Sequence, residues 1–331
     1  MDILGVKENI NALCANIEKV IIGKTKEVRL VLAAYLAGGH VLLEDVPGTG
    51  KTVLAKSLAR SLDASFLRVQ FTPDLLPSEL VGINFYNPAT GEFNFRKGSL
   101  FANIVLADEI NRATPRTQSG LLECMEECQV SVDGTTYPLP SPYFVIATQN
   151  PVETQGTFPL PEAQLDRFML QTSLGYPGTA EGANILKKSA EEEPFERLSP
   201  VCGLDTLRAM QAAVKAVYIH DDIYEYIVRL AEATRSHEAV SLGVSTRGAL
   251  SLAKVVRAFC AIDGRDFVTP QDVLSLLPYV FAHRLILRGG VRSRAVAAGT
   301  VLEEAVAATK APVEDFAAAA RSRREKELEW L

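Results

Sequence analysis

Short runs of apolar residues alternate with segments of helical periodicity over the first half of the chain. The runs are rich in β-branched and aromatic residues and are bounded by turn residues, which is typical of strands. Nearly every position in them is apolar, as expected for parallel strands that helices cover on both faces. The predicted strands are His40 to Leu43, Phe66 to Phe71, Ile104 to Ala107, Phe144 to Thr148 and Phe168 to Thr172. Residues 1–176 are therefore expected to form an α/β core around a five-stranded parallel sheet.

The pattern changes after a turn-rich segment at residues 175–178. From Leu198 onward the apolar positions recur at helical spacing and no strand-like run follows. Helix-start signals occur at Ser199-Pro200 and Thr269-Pro270. Residues 177–331 are therefore expected to form a smaller, all-α C-terminal domain.

A glycine-rich turn follows the first predicted strand and precedes a helical run. Gly48 and Gly50 allow the backbone to wrap a phosphate group, and the following helix presents the positive end of its dipole. Lys51 is expected to reach the β and γ phosphates, and the Thr52 hydroxyl to bind Mg²⁺. The residues predicted to hold the nucleotide in this loop are Pro47, Gly48, Thr49, Gly50, Lys51, Thr52 and Val53. Asp45 stands where the usual G-x-x-x-x-G-K-[ST] spacing has its first glycine. The alternative to a nucleotide site is a structural loop that binds no nucleotide.

The third predicted strand ends in two adjacent carboxylates, Asp108 and Glu109. Downstream of a phosphate loop, the first is expected to support Mg²⁺ beside Thr52, and the second to orient and deprotonate the attacking water. The alternative is a helix cap followed by a carboxylate in the first turn.

The fourth predicted strand leads directly into Gln149 and Asn150, at the same edge of the sheet. Ligands bind at the carboxyl ends of the strands in open parallel sheets. Asn150 is therefore expected to hydrogen-bond the γ-phosphate or the attacking water, with a simple turn residue before Pro151 as the alternative.

Bulk properties restrict the class of protein. The chain has 331 residues, of which 47% are hydrophobic and 22% charged, enough for one large or two ordinary domains. No apolar run approaches the ~20 residues of a membrane-spanning helix, and the N-terminus lacks a secretory pattern, so a cytoplasmic location is expected. The net charge of −6 argues against a general polyanion-binding surface. The five scattered cysteines indicate neither a disulfide framework nor a zinc site.

Four blocks in order make the chain resemble the MoxR family of AAA+ ATPases. They are GGHVLLEDVPGTGKT (38–52), RVQFTPDLLPSELVG (68–82), LADEINRA (106–113) and ATQNPVETQGTFPLPEAQLDRF (147–168). The resemblance implies a P-loop NTPase core and a helical lid. It implies that Asn150 is sensor 1, that Arg167 is an arginine finger acting on a neighbouring subunit, and that Arg247 is the sensor 2 arginine. Without the resemblance, Arg167 reads as a surface ion pair with Asp166 or Glu162, and Arg247 as a helix-start residue.

The resemblance also gives roles to two further segments. Ile22 and Gly23, with the preceding Ile21, resemble the segment that packs on the adenine, although a plain core contact explains them equally well. Gln70 resembles a polar switch that restrains Glu109 in this superfamily.

Two segments are predicted to form β-hairpins. Aromatic residues alternate on both sides of Asn87 to Gly91, and alternating residues flank Asp133-Gly134. These hairpins resemble the helix-2 insert and the pre-sensor-1 hairpin of the clade that includes magnesium chelatase motors and replicative helicases. Phe85, Tyr86, Phe93 and Phe95 are expected either to grip a client or to pack within the hairpins.

The resemblance implies an ATP- and Mg²⁺-dependent homo-oligomeric ring, expected to be hexameric, that remodels protein clients. A protein with a von Willebrand factor A domain is the expected partner, with metal-cofactor insertion as one form of client maturation. A nucleic-acid translocase of the same clade is the main alternative. A small-molecule kinase and a nucleotide-gated scaffold are the others.

Overall fold

The computed structural model describes residues 1–151, 156–191, 194–288 and 294–329. Residues 152–155 of the fourth sequence block lie outside this part of the chain. The strands are β1 (Val41–Glu44), β2 (Phe66–Gln70), β3 (Gly82–Asn87), β4 (Glu92–Lys97), β5 (Ile104–Asp108), β6 (Gln129–Val132), β7 (Thr135–Pro138), β8 (Phe144–Gln149), β9 (Leu170–Thr172), β10 (Val240–Leu242) and β11 (Ile286–Leu287). The helices are α1 (Ile3–Ile17), α2 (Thr25–Leu36), α3 (Lys51–Ser61), α4 (Pro77–Val81), α5 (Pro115–Glu127), α6 (Glu162–Leu165), α7 (Thr179–Glu191), α8 (Leu204–Val214), α9 (Asp221–Ser236), α10 (Thr246–Asp263), α11 (Pro270–Phe281), α12 (Arg294–Ala308) and α13 (Phe316–Glu329).

The central sheet has five strands in the order β2-β5-β8-β1-β9, and all of its pairings are parallel. The five strands coincide with the five apolar runs, so the predicted sheet is confirmed. The register places Gln70 beside Asp108 and Leu43 beside Thr148. The polar residues that end the strands therefore collect at one edge of the sheet.

Side chains alternate between the two faces of the sheet, and each face has its own hydrophobic core. Leu43, Leu106 and Ile146 pack with α1 to α3, whereas Val105 and Ala147 pack with α5. Alternation along a strand places Asp108 on the same face as Leu106. The Asp108 side chain, at the end of β5, therefore lies on the face of the sheet that α3 and its preceding loop cover.

Both predicted hairpins are present. β3 pairs with β4, and β6 pairs with β7 through a turn in which Asp133 and Gly134 have φ angles of +49° and +79°. Such a turn matches the twist of the two strands it joins. The ring of Phe95 stacks on that of Tyr137 at 3.8 Å, and the Asn84 amide donates to the Asp133 carboxylate at 2.8 Å. The two hairpins are thus packed against each other.

The C-terminal region is mainly helical, as expected. Its central helix, α10, packs on α1 and α2 as well as on α11, so one hydrophobic core extends from the sheet into this region. Thr269 caps α11 as predicted, with its hydroxyl bonded to Asp272 at 2.7 Å. The Ser199-Pro200 signal is wrong, because α8 begins at Leu204 after Gly203.

The expectation of no strand after residue 198 is also wrong. β10 and β11 form a small antiparallel pair. Strands of three and two residues are too short to produce a period-two pattern, and tertiary packing of the buried Val240 forms them instead.

Candidate functional site

The phosphate loop connects β1 to α3 in the predicted strand-turn-helix arrangement. Gly48 and Gly50 have φ angles of +83° and +93°, which glycine adopts without steric cost. A Cβ on Gly48 would meet no atom within 4 Å, so the space above the loop is open. The Lys51 ammonium folds back and donates to the carbonyl oxygens of Asp45 and Val46 at 3.0 and 2.8 Å. Lys51 must exchange these bonds to reach a phosphate.

Asp45 has a structural role in place of the usual glycine. Its carboxylate is buried and accepts backbone N–H bonds from Leu174 and Gly175 at 2.6 and 3.0 Å. These two residues follow β9 and lead toward α7. Asp45 therefore fixes the base of the phosphate loop to the connection with the helical region, a contact that a glycine cannot make.

The Asp108 carboxylate is buried at the end of β5, and the Thr148 hydroxyl donates to it at 2.6 Å. The same hydroxyl accepts the backbone N–H of Glu109 at 2.8 Å. Glu109 has a φ angle of +56°, an unfavourable conformation for a residue with a side chain. Thr148 thus holds both carboxylate residues in place, and the sequence analysis gave it no role.

The Glu109 carboxylate is held by two donors. The Gln70 amide donates to it at 2.8 Å, and the Arg112 guanidinium lies 2.7 Å away. The contact with Gln70 is the one that the family resemblance implied. Both contacts fall on one carboxylate oxygen, Oε2.

Arg68 is a site residue that the sequence analysis missed. Its guanidinium donates to one oxygen of Asp108 from two nitrogens, at 3.0 and 2.7 Å, and also donates to the Gln70 side-chain oxygen at 2.7 Å. Only its position on β2 indicated it, since Arg68 and Gln70 share one face of a strand that the sheet places beside β5.

These residues surround one cavity of about 400 Å³. Its lining residues are Pro47, Gly48, Thr49, Gly50, Lys51, Thr52, Val53, Arg68, Asp108, Glu109, Thr148, Gln149 and Asn150. The loop residues, both carboxylates and Asn150 are thus brought together. Hydroxyl and carboxylate oxygens, here those of Thr52 and Asp108, are ligands that Mg²⁺ prefers, so the residues fit this ion.

Ile22 and Gly23 do not line this cavity. Their segment nevertheless approaches the phosphate loop, since a Cβ on Gly50 would lie 4.0 Å from the side chain of Ile21. Gly23 has a φ angle of +75° and abuts the Glu181 carboxylate at the start of α7. The role of this segment toward the adenine remains a prediction.

Arg167 and Arg247 also lie outside the cavity lining. Both contact the carboxylate of Glu126, near the end of α5. The turn that carries Arg167 is fixed by its neighbour Asp166, which accepts hydrogen bonds from the buried Arg284 at 2.6 Å and from Ser245 at 2.8 Å. The two arginines therefore lie side by side on one carboxylate, and neither lines the cavity.

Comparison with known proteins adds to this geometry. The family model described as "ATPase family associated with various cellular activities (AAA)" matches residues 40–170, and that of the AAA lid domain matches residues 232–305. YeaC of Bacillus subtilis is 48% identical over 90% of this chain and 93% of its own. Chaperone MoxR1 of Mycobacterium tuberculosis is 40% identical over 82% of this chain and 74% of its own.

A solved structure has the same fold. The crystal structure of a proposed ATPase from Cytophaga hutchinsonii superimposes with a TM-score of 0.86 at 35% identity, over 94% of this chain and 97% of the other. None of the helices in the described part of the chain is long and apolar enough to cross a membrane.

Proposed function

This chain belongs to the MoxR family of AAA+ ATPases, and on that premise we propose that it binds and hydrolyses ATP with Mg²⁺. The observation that carries the proposal is the convergence, around one cavity, of the phosphate loop with Asp108, Glu109 and Asn150. A cavity that only bound a nucleotide would need the phosphate loop. It would not need the adjacent carboxylates Asp108 and Glu109 or the polar side chain of Asn150 in its lining.

Each residue then has a defined part in hydrolysis. Lys51 leaves its two carbonyl partners and donates to the β and γ phosphates, while Asp108 and Thr52 supply oxygen ligands to the metal shell. Mg²⁺ bound there would neutralise charge on the phosphate oxygens. Glu109 accepts a proton from the attacking water, and Asn150 orients that water or the γ-phosphate.

Two substitutions separate binding from hydrolysis. In Glu109→Gln, the side chain retains its shape but cannot accept the proton, so ATP binding persists and turnover falls by about 10²-fold or more. In Lys51→Ala, the affinity for ATP itself falls. Glu92→Gln, on an exposed hairpin position, is the matched control and keeps wild-type turnover. Equal turnover in the wild type and Glu109→Gln would remove Glu109 from this role.

The functional form is proposed to be a homo-oligomeric ring, most simply a hexamer, with ATP between subunits. Its support is that neither Arg167 nor Arg247 lines the cavity of its own chain, and that both contact Glu126 instead. An arginine stabilises the charge that spreads over the transferring phosphoryl oxygens, and here a second copy must provide it. Sedimentation of Glu109→Gln with saturating ATP tests the ring, and a particle that remains monomeric contradicts it.

The ring is proposed to remodel protein clients, as the name of the chaperone MoxR1 suggests by analogy. Phe85, Tyr86 and Phe93 are large apolar side chains exposed on the first hairpin, available to hold an unfolded segment. A partner with a von Willebrand factor A domain, acting in client maturation or metal-cofactor insertion, completes the proposal. Affinity capture with Glu109→Gln in the presence of ATP tests it, and absence of any such partner among the captured proteins contradicts this part.

A nucleic-acid translocase is the second candidate. One observation favours it, the exposed basic pair Arg96 and Lys97 on β4. Turnover measured with and without single-stranded and duplex DNA distinguishes the two, because a translocase shows DNA-stimulated turnover and strongly salt-dependent binding.

A further inference from the structure

Arg68 connects the two carboxylates of the candidate site. Its Nε and Nη2 both donate to Asp108, and Nη2 also donates to the Gln70 side-chain oxygen, while the Gln70 amide donates to Glu109. The three contacts form one continuous chain from the metal-supporting carboxylate to the proposed base.

We propose that Arg68 competes with Mg²⁺ for Asp108 and, through Gln70, keeps Glu109 restrained until the metal binds. This inference rests on the proposed function, since it assumes that Asp108 supports the metal of an ATPase. Arg68 then has a positioning role, and Glu109 becomes available for hydrolysis only after the metal has displaced Arg68 from Asp108.

The hydrogen bonds of Asp108 explain the competition. One carboxylate oxygen accepts two N–H bonds from Arg68, which occupy both of its lone pairs, and the other accepts the Thr148 hydroxyl. Only one acceptor position therefore remains for a water molecule of the metal shell. A guanidinium that touches the same carboxylate also repels a divalent cation placed beside it. Mg²⁺ binds more favourably when Arg68 has turned away.

The same movement acts on Glu109. When Arg68 leaves, the Gln70 oxygen loses its donor and the Gln70 side chain can rotate away from the Glu109 carboxylate. Arg112, on the turn that follows β5, still contacts the same oxygen of the Glu109 carboxylate. The base is thus reoriented by one contact while it remains anchored by another.

The positions of these side chains are consistent with a switch. The Arg68 side chain is 46% exposed, whereas that of Asp108 is 11% exposed. Both residues line the cavity, and the arginine is the more accessible of the two, so it is the partner that we expect to turn. β2 is an edge strand of the sheet, so this rearrangement requires no change in the buried strands.

Metal binding without hydrolysis tests the inference. The protein is mixed with a smaller amount of a non-hydrolysable ATP analogue, so that nearly all of the nucleotide is bound. Mn²⁺ is then titrated in, and bound Mn²⁺ is followed by electron paramagnetic resonance. Arg68→Gln is expected to bind Mn²⁺ about fivefold more tightly than the wild type, because one repelling charge is removed. Arg68→Lys retains the charge and is expected to lie between the two.

Two further variants make the result specific. Arg96→Gln removes an exposed arginine from β4 and is expected to bind Mn²⁺ as the wild type does. Gln70→Ala removes an acceptor that holds Arg68 in place, so by reciprocity it is expected to bind Mn²⁺ more tightly than the wild type but less tightly than Arg68→Gln. Equal or weaker Mn²⁺ binding by Arg68→Gln, in a protein with wild-type thermal stability, overturns the inference. Failure of the wild type to bind Mn²⁺ with the nucleotide would instead contradict the proposed function.

Discussion

Arg167 and Arg247 contact the two oxygens of a single carboxylate, that of Glu126. One arginine follows α6 and the other lies in the first turn of α10, so the pair joins the α/β core to the helical region. Carboxylate and phosphate groups both bind guanidinium groups through charge-assisted hydrogen bonds, so the Glu126 carboxylate holds the two arginines much as a phosphate group could. The two guanidinium groups are therefore already side by side within one chain.

Mixing two inactive variants is expected to restore activity if Arg167 acts on a neighbouring subunit. Arg167→Ala lacks the finger and Glu109→Gln lacks the base, and each alone is expected to lose at least about 10²-fold in turnover. In a mixed ring, a Glu109 from the first variant faces an Arg167 from the second, and such a site is complete. Turnover of the mixture, measured over a range of ratios, is expected to exceed the sum of the separate rates.

The control for this mixture is Glu109→Gln combined with a protein that carries both substitutions. No complete site can form there, so turnover is expected to stay at background. If the two single variants likewise give only background when mixed, in rings of normal size, Arg167 does not act between subunits.

Glu126→Gln is expected to lower the ATP concentration needed for assembly. If the two arginines bind a neighbour's phosphate as proposed, Glu126 must compete with it, and an amide would compete less strongly because it carries no charge. Stability is expected to change by less than about 1 kcal/mol, since this ion pair is exposed to solvent. Sedimentation at graded ATP concentrations measures the shift, with Glu127→Gln on the same helix as the control. An unchanged or higher ATP requirement would show that Glu126 positions the arginines without restraining them.

The predictable part of the site is local in sequence. The phosphate loop lies within one turn, and Asp108 and Glu109 end one apolar run, so pattern and chemistry were sufficient to find them. Arg68 and Thr148 were missed because their role depends on the pairing of β2 and β8 with β5. Residues 40 apart are brought together there by sheet register, for which a single sequence gives little signal.

Asp45→Gly is expected to destabilise the protein although it restores the usual spacing of the phosphate loop. The substitution leaves the buried N–H of Leu174 and the half-buried N–H of Gly175 without this acceptor, at a cost of about 1 to 3 kcal/mol in the free energy of unfolding. Urea denaturation measures this loss. The control, Asp63→Gly, changes an exposed aspartate whose φ angle of +49° suits glycine, and is expected to be close to neutral. An Asp45→Gly variant as stable as the wild type would contradict the structural role of the carboxylate.

The protein is expected to lose stability between pH 6.5 and about 4 through His40. Burial lowers the pKa of its imidazole from 6.5 to about 4. The ring donates from Nε2 to the Met125 carbonyl at 2.8 Å and accepts the Val145 N–H at Nδ1 at 3.0 Å, an arrangement that requires the neutral form. In this range the unfolded chain binds the proton and the folded chain does not. The free energy of unfolding therefore decreases as the pH is lowered, by about 3 kcal/mol in total.

Urea denaturation at several pH values between 7 and 4 measures the effect, with His40→Gln as the comparison. That variant is expected to be less stable at pH 7, and its stability is expected to vary less with pH, so the difference from the wild type narrows toward pH 4. A constant difference across the range would contradict the assignment to His40.

Two aromatic residues of the first hairpin are expected to separate stability from client binding. Phe95 stacks on Tyr137 between the hairpins, whereas Phe93 is 73% exposed and contacts Tyr86. Phe95→Ala is expected to lower the free energy of unfolding by about 1 to 3 kcal/mol, and Phe93→Ala by less than about 0.5 kcal/mol. At a temperature where both variants are folded, Phe93→Ala is expected to weaken client binding more than Phe95→Ala does. Binding of an unfolded polypeptide such as β-casein to the ATP-bound Glu109→Gln protein is expected to weaken with Phe93→Ala, because that ring is the most exposed of the aromatic side chains proposed to hold a client. Unchanged binding in this variant would remove the exposed aromatic residue from the client surface.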